Sequence, residues 1–185
     1  MKPKLKTALL IIDMQKKWIS DSKTLYPPMR MAVDLINKLR EVWADSGLPI
    51  FYVTLVHEPD GSTLSRFDSK LWNIRGSIDA EIIDELKPKA NERVLIKHRY
   101  SAFFETELAS TLRKEGIDSC VITGYQARAC ILATALDAYQ LDFEAHVVEN
   151  AILDTNEAQL NFHLATFRDA GLLKKIDEVL KVALA

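Results

Sequence analysis

The stretch that decides the fold is Val121–Tyr139, VITGYQARACILATALDAY. A β-branched apolar run ends at Gly124, and a short polar turn follows. Apolar residues then recur at helical spacing: Ile131, Leu132, Ala135, Leu136 and Tyr139. A short apolar run, a glycine and a helical pattern predict a strand, a tight turn and a helix.

Cys130 lies where this helix begins. The first turn of a helix has unpaired N–H groups and the positive end of the helix dipole, which both favour an anion. We therefore expect the Cys130 thiol to ionise more readily than a free cysteine, and a thiolate is the nucleophilic form. An inert buried thiol is the alternative at this point. The other cysteine, Cys120, lies within the strand and is interpreted as a core residue.

Composition limits the classes of function. A chain of 185 residues with 48% apolar and 27% charged residues is typical of one soluble globular domain, here taken as 1–185. A net charge of −2 argues against a nucleic-acid surface, and no apolar run is long enough to cross a membrane. The apolar run Ala8–Ile12 is interrupted by Asp13, which favours a first strand over a signal peptide and predicts a cytoplasmic protein. Two thiols in such a chain are expected to be free.

Strand and helix patterns alternate along the chain. The predicted strands are Thr7–Ile12, Pro49–Val56, Arg93–Lys97, Asp118–Thr123, Phe143–Val148 and Leu173–Ile176. The predicted helices are Met29–Ser46, Ile78–Leu86, Glu105–Glu115, Ala129–Gln140, Glu157–Ala170 and Asp177–Leu184. Continuous apolar strands alternating with helices indicate βαβ units. The predicted fold is a three-layer α-β-α, doubly wound, mostly parallel six-stranded sheet of Rossmann-like type.

Chemically active side chains follow several of these strands. Asp13 ends the first strand, His57 follows the second, Lys97 ends the third, and Cys130 follows the fourth through its turn. Ligands bind outside the carboxyl ends of strands in such sheets, so we expect a carboxylate, an amine and a thiol on one edge. Taken singly, the aspartate also fits a turn and the lysine a solvated surface. The long connection 57–77 is typical of a lid or pocket wall.

Three motifs carry a resemblance to a known family. They are LLIIDMQKKW (9–18), VLIKHRYSAFFETELASTL (94–112) and VITGYQARACILATALDA (121–138). In this order and spacing they resemble the isochorismatase-like cysteine hydrolase superfamily, which includes nicotinamidases and N-carbamoylsarcosine amidohydrolases. The resemblance covers nearly the whole chain and implies a homo-oligomer, a dimer or larger.

The resemblance also implies a catalytic site. Its triad corresponds to Asp13, Lys97 and Cys130. It implies a cis peptide at Tyr125–Gln126, which turns the Gln126 N–H, with that of Cys130, toward one point as an oxyanion hole. The implied reaction is cleavage of a C–N bond in a small amide or carbamoyl compound through a thioester, with Asp13 moving the proton.

One motif departs from the nicotinamidase branch, which carries a metal site that begins with Asp-x-His after the second strand. Here those positions read Leu55-Val56-His57. Leucine cannot ligate a cation, so we predict a metal-independent enzyme without any cofactor.

Several side chains are candidates for substrate binding. The cationic or polar ones are His57, Arg75 and Arg128, of which either arginine would hold a carboxylate through its planar fork. The aromatic ones, which would wall an apolar pocket, are Trp18, Trp72, Tyr100 and Phe103. Each has a plain alternative: a loop hydrogen bond for the histidine, surface ion pairs for the arginines, and core packing for the aromatic residues.

Two other functions stay open at this stage. One is an isochorismatase-type vinyl-ether or ester hydrolase on the same fold, which does not need a cysteine nucleophile. The other is a non-catalytic flavodoxin-like redox or binding module in which Cys130 is a sensor thiol. The chain has only six glycines and no G-x-G-x-x-G, which argues against a nucleotide module.

Overall fold

The computed structural model describes residues 6–19, 27–68 and 70–184. One six-stranded sheet runs through the molecule in the order β3-β2-β1-β4-β5-β6, and every neighbouring pair is parallel. The strands are β1 (Thr7–Ile12), β2 (Ile50–Leu55), β3 (Arg93–Lys97), β4 (Ser119–Tyr125), β5 (Glu144–Leu153) and β6 (Leu173–Lys174). The predicted α/β sheet is confirmed, and it is parallel throughout. The prediction of one domain over 1–185 extends to residues outside the described ranges.

Helices cover both faces of the sheet. They are α1 (Lys16–Ile19), α2 (Pro27–Asp45), α3 (Leu108–Lys114), α4 (Leu132–Gln140), α5 (Glu157–Asp169) and α6 (Ile176–Leu184). One core lies under α2 and α6 and includes Trp43 and Val179, whereas the other lies under α3, α4 and α5 and includes Leu112 and Phe167. β1 is buried at every position because it is covered on both faces, which explains its continuous apolar sequence. No helix in the described ranges is both long and apolar enough to cross a membrane.

The helices predicted at Ile78–Leu86 and from Glu105 differ from the structure. The segment predicted as a helix over Ile78–Leu86 forms two 3₁₀ turns, 78–80 and 84–86. Its Ile83 N–H binds the Met14 carbonyl at 3.0 Å, so part of its backbone pairs with the chain after β1 and not with itself. The helix predicted from Glu105 begins only at Leu108, because Glu105 has φ +52°, outside the helical region.

Strand β5 extends beyond its predicted end. It continues past Val148 to Leu153, with a register shift against β4 between Ile122 and Gly124. Asn150, at φ +65°, lies within this irregular part. The extension carries the chain after β5 to the same edge of the sheet as the turn after β4.

Gly124 allows the two central strands to approach at the point where both reach that edge. It has φ +111°, and a Cβ atom there would overlap the backbone of Ile12, the residue before Asp13. The glycine is therefore required both by conformation and by space.

We expect Gly124→Ala to lower the free energy of unfolding by more than about 3 kcal/mol, because overpacking adds to the cost of a positive φ. Gly116→Ala is the matched control, since Gly116 also has a positive φ (+67°) but nothing lies within 4 Å of its added Cβ. It should cost about 1–2 kcal/mol. Urea unfolding followed by tryptophan fluorescence measures both. Equal losses in the two variants would contradict the close approach.

Candidate active site

A buried ammonium group joins the three residues that the sequence places at the strand ends. Lys97 Nζ lies 2.8 Å from Asp13 Oδ2 and 3.3 Å from Cys130 Sγ. It also donates to the Arg99 carbonyl at 3.1 Å. The exposed fractions are 1% for Asp13, 1% for Lys97 and 6% for Cys130. The structure thus brings the predicted trio within contact distance, away from bulk water.

The backbone of the neighbouring strands fixes Asp13. Asp13 has φ +49°, a left-handed conformation that aspartate tolerates better than most residues. Its N–H donates to the Val53 carbonyl at 2.9 Å, and its Oδ1 accepts the Leu55 N–H at 2.8 Å. Gln15 Oε1 shares the same N–H at 3.1 Å. One carboxylate oxygen is therefore held by β2, and the other faces Lys97.

A wide turn presents Cys130. Residues Ala127–Ile131 form a π-helical turn between β4 and α4, so the regular helix begins later than predicted. The Cys130 carbonyl accepts a hydrogen bond from Thr134 Oγ1 at 2.6 Å. Thr134 Oγ1 in turn accepts one from the Ala102 N–H at 3.0 Å. The turn is thereby tied to the segment that follows β3. The peptide bond Tyr125–Gln126 is cis, as the resemblance implies.

Asp154 is a residue of the site that the sequence analysis missed. Its side chain is fully buried, and its Oδ2 accepts the Arg128 N–H at 2.9 Å. Its Oδ1 accepts the Thr155 N–H at 2.7 Å and lies 3.6 Å from Arg128 Nε. The carboxylate therefore satisfies an unpaired N–H of the turn that carries Cys130. The sequence feature that could have identified it is an aspartate directly after the last residue of β5. It was not recognised because that strand was predicted to end at Val148.

The electrostatics correct one expectation. Burial raises the pKa of the Cys130 thiol, and the Asp13 carboxylate raises it further, while Lys97 opposes both. The expectation that this thiol ionises more readily than a free cysteine is therefore wrong for the resting site. Burial alone would lower the pKa of Lys97, but Asp13 and Cys130 hold it above its ordinary value. At neutral pH the trio contains an ammonium group and a protonated thiol. Burial also raises the pKa of Cys120 to about 12.

Two cavities are lined by sequence neighbours of the trio or by residues bound to it, although none of the three residues lines either cavity itself. The first, about 270 Å³, is bounded by the connection 57–77 and by residues next to Asp13 and Lys97. Its lining residues are Leu55, His57, Ser65, Phe67, Asp68, Trp72, His98, Arg99 and Tyr100. The second, about 420 Å³, is an open groove over the turn at Gln126, Arg128 and Ala129 and the first residues of α4. Tyr100 lines both cavities.

Besides Tyr100, four more of the predicted substrate-binding residues lie near these cavities. His57 and Trp72 line the first cavity, with ring centroids 5.3 Å apart. Trp18 contacts Trp72 edge-on at 5.2 Å and stacks on Tyr125 at 5.4 Å. Arg128 lines the open groove.

The structure does not bring Arg75 and Phe103 to the site. Arg75 forms an exposed ion pair with Glu58 at 2.6 Å and faces a separate groove beside β3. Phe103 is buried and stacks on Phe143 at 5.6 Å within the core under α4. The observed contacts match the plain alternative for each residue: a surface ion pair for Arg75 and core packing for Phe103.

The donor set does not fit the metal site of the nicotinamidase branch. Leu55 offers a buried hydrocarbon side chain where that branch has a carboxylate. His57 Nδ1 lies 3.3 Å from Thr63 Oγ1. Across residues 6–19, 27–68 and 70–184, no three His, Cys, Asp or Glu side chains are grouped to hold an ion.

A family model for the isochorismatase domain matches residues 7–173. The chain belongs to the isochorismatase family. The resemblance found in the sequence motifs is thereby confirmed.

Three relatives of this isochorismatase-family chain illustrate the range of names in the family. It is 34% identical to isochorismatase of Bacillus subtilis, over 80% of this chain and 48% of that protein. It is 32% identical to maleamate amidohydrolase of Pseudomonas putida, over 80% of this chain and 73% of that protein. The crystal structure of N-carbamoylsarcosine amidase from Thermoplasma acidophilum superposes with a TM-score of 0.78 and 33% identity, covering 94% and 98% of the two chains. The chain spans about half the length of several curated relatives.

We expect Asp13→Asn to accelerate alkylation of Cys130, because it removes a charge that raises the thiol pKa and leaves Lys97 to lower it. Each unit by which the pKa falls raises the thiolate fraction at pH 8 about tenfold. Lys97→Met should slow alkylation, because it removes the charge that lowers the thiol pKa. Iodoacetamide labelling measured by mass spectrometry gives both rates, with buried Cys120 as the internal control. A slower or unchanged rate in Asp13→Asn would refute the charge assignment.

We expect Asp154→Ala to destabilise the protein by about 1–3 kcal/mol, since it leaves the Arg128 N–H without its acceptor. Asp154→Asn should recover part of the loss, because its amide oxygen still accepts. Asp137→Ala is the control, as Asp137 accepts a bond from Gln140 at the other end of α4. Thermal unfolding and the Cys130 alkylation rate are measured together; an unchanged rate in Asp154→Ala would show that this carboxylate does not position the turn.

Proposed function

We propose that this chain is a cysteine hydrolase that cleaves a C–N bond of a small amide or carbamoyl compound without a metal ion. The observation that carries the proposal is the buried contact of Lys97 Nζ with both Asp13 Oδ2 and Cys130 Sγ. Two relatives at 32% and 33% identity bear the names maleamate amidohydrolase and N-carbamoylsarcosine amidase, which supports C–N cleavage.

In the first step Cys130 attacks the carbonyl carbon while Asp13 takes the thiol proton. Because the pKa of the thiol is raised in the resting site, the thiolate forms as the attack proceeds and is not stored beforehand. The Lys97 ammonium stabilises the negative charge on sulfur and keeps the carboxylate next to it.

The carbonyl oxygen becomes an oxyanion as the sulfur–carbon bond forms. The backbone N–H groups of Gln126 and Cys130 are the donors proposed for it, and each such donor is typically worth about 3 kcal/mol in the transition state. Both belong to the turn that Asp154 and Thr134 hold in place.

Asp13 then returns the proton to the departing nitrogen. The C–N bond breaks, ammonia or an amine leaves, and the acyl group remains on Cys130 as a thioester. Asp13 next takes a proton from water, and the resulting nucleophile attacks the thioester. The C–S bond breaks, the acid product leaves, and Asp13 returns the proton to the Cys130 sulfur. No oxidant or metal is needed for this balance.

We expect Cys130→Ala to reduce ammonia release from the best amide in a small-amide screen by on the order of 10⁴-fold, because the nucleophile is removed. Cys120→Ala is the matched control and should retain the activity, since Cys120 is a core thiol on β4. Retention of most activity by Cys130→Ala would overturn the proposal and favour a reaction that needs no thiol, such as vinyl-ether hydrolysis.

We expect prolonged treatment with EDTA to leave ammonia release unchanged, because leucine replaces the carboxylate that begins the metal site. The measurement compares the treated enzyme with the same enzyme after zinc or manganese is added back. Loss of activity that the metal restores would contradict metal-independent hydrolysis.

A further inference from the structure

Arg99 places a cation in the wall of the 270 Å³ cavity. Its Nη1 donates to the carbonyl oxygens of Thr63 and His98, both at 2.7 Å. Within the part of the chain that the structure describes, its guanidinium forms no ion pair, whereas those of Arg40, Arg75 and other arginines do. Two carbonyls therefore fix one nitrogen, and the remaining N–H groups have no anionic partner among the described residues.

His57 presents a second unused polar group to the same cavity. The residue is 1% exposed, and its buried Nε2 has no hydrogen-bond partner within residues 6–19, 27–68 and 70–184. Its Nδ1 contacts Thr63 Oγ1, which also accepts the Glu58 N–H at 2.9 Å. Burial lowers the pKa of His57, so the ring is neutral at pH 7. Thr63 thus holds both Arg99 and His57, through its carbonyl and its hydroxyl.

Two other polar side chains of the wall have hydrogen-bond partners of their own. His98 Nδ1 lies 2.6 Å from the Val56 carbonyl and must donate to it, since a carbonyl only accepts. Asp68, an acidic residue on the wall, is exposed and accepts the Ser65 N–H at 2.9 Å. A buried ring nitrogen without a hydrogen-bond partner is costly, and a planar carboxylate matches the fork of a partly buried guanidinium.

We propose that this cavity binds a carboxylate group of the substrate, with Arg99 as its anchor and His57 Nε2 beside it. The inference rests on the proposed function and narrows its substrate to a small amide that carries a carboxylate. Position supports it: the Arg99 carbonyl accepts a hydrogen bond from Lys97 Nζ, and Leu55, whose N–H binds Asp13, lines the same cavity. The residue that carries the anchor therefore contacts the trio through its own backbone.

The kinetic test compares succinamate with succinamide, its neutral counterpart of equal length. Arg99→Met should lower kcat/KM for succinamate about 10- to 100-fold and that for succinamide less than about threefold, as expected for loss of a charged hydrogen bond. Arg99→Lys, which keeps the charge without the fork, should fall between. Arg75→Met is the matched control, because Arg75 is paired with Glu58 outside the cavity.

A binding test is independent of turnover. Calorimetry with succinate on Cys130→Ala protein should show saturable binding that is lost when Arg99→Met is added and kept when Arg75→Met is added. Arg99-dependent succinate binding without ammonia release from any amide would overturn the proposed function and support the anchor. Hydrolysis of succinamide as fast as succinamate, or no succinate binding, would overturn the anchor and leave the proposed function standing.

Discussion

The active site depends on one buried ammonium group. Removing a charge from water is costly unless it is paired and hydrogen-bonded, and Lys97 meets this requirement through a carboxylate, a carbonyl and a sulfur atom. Its three partners come from the ends of β1 and β3 and from the turn after β4. The order of the sheet, with β2 between β3 and β1, brings those ends to one edge and also supplies the Leu55 N–H that holds Asp13. The fold and the site are therefore parts of one arrangement.

The same burial decides how the thiol is used. A stored thiolate would need a cation that outweighs both desolvation and the neighbouring carboxylate. Here the balance favours the protonated thiol, so the carboxylate acts as a base only when a substrate carbonyl is positioned in the site. This arrangement protects a reactive sulfur from other electrophiles in the resting protein.

Strong local patterns made much of the structure predictable from sequence. Continuous apolar strands that end in Asp13 and Lys97, and the glycine turn before Cys130, predicted the edge and the trio. The missed features depend on tertiary contacts. The segment near Ile83 has a helical pattern but pairs with the backbone after β1. Whether Arg75 or Arg99 faces a cavity depends on which arginine finds a carboxylate, and no local pattern encodes that choice. Asp154 depends on a strand irregularity that brings it beside the turn.

The close approach at Gly124 also constrains how this molecule can change. The floor beneath the trio has no space even for a methyl group where β4 meets β1. A larger or differently shaped ligand must therefore be accommodated on the side of the cavity that the 57–77 connection lines. That segment holds Thr63, Phe67 and Trp72, and its length and composition are the adjustable part of an otherwise rigid scaffold. New selectivity, whether natural or engineered, is expected to arise there by insertion, deletion or exchange of side chains.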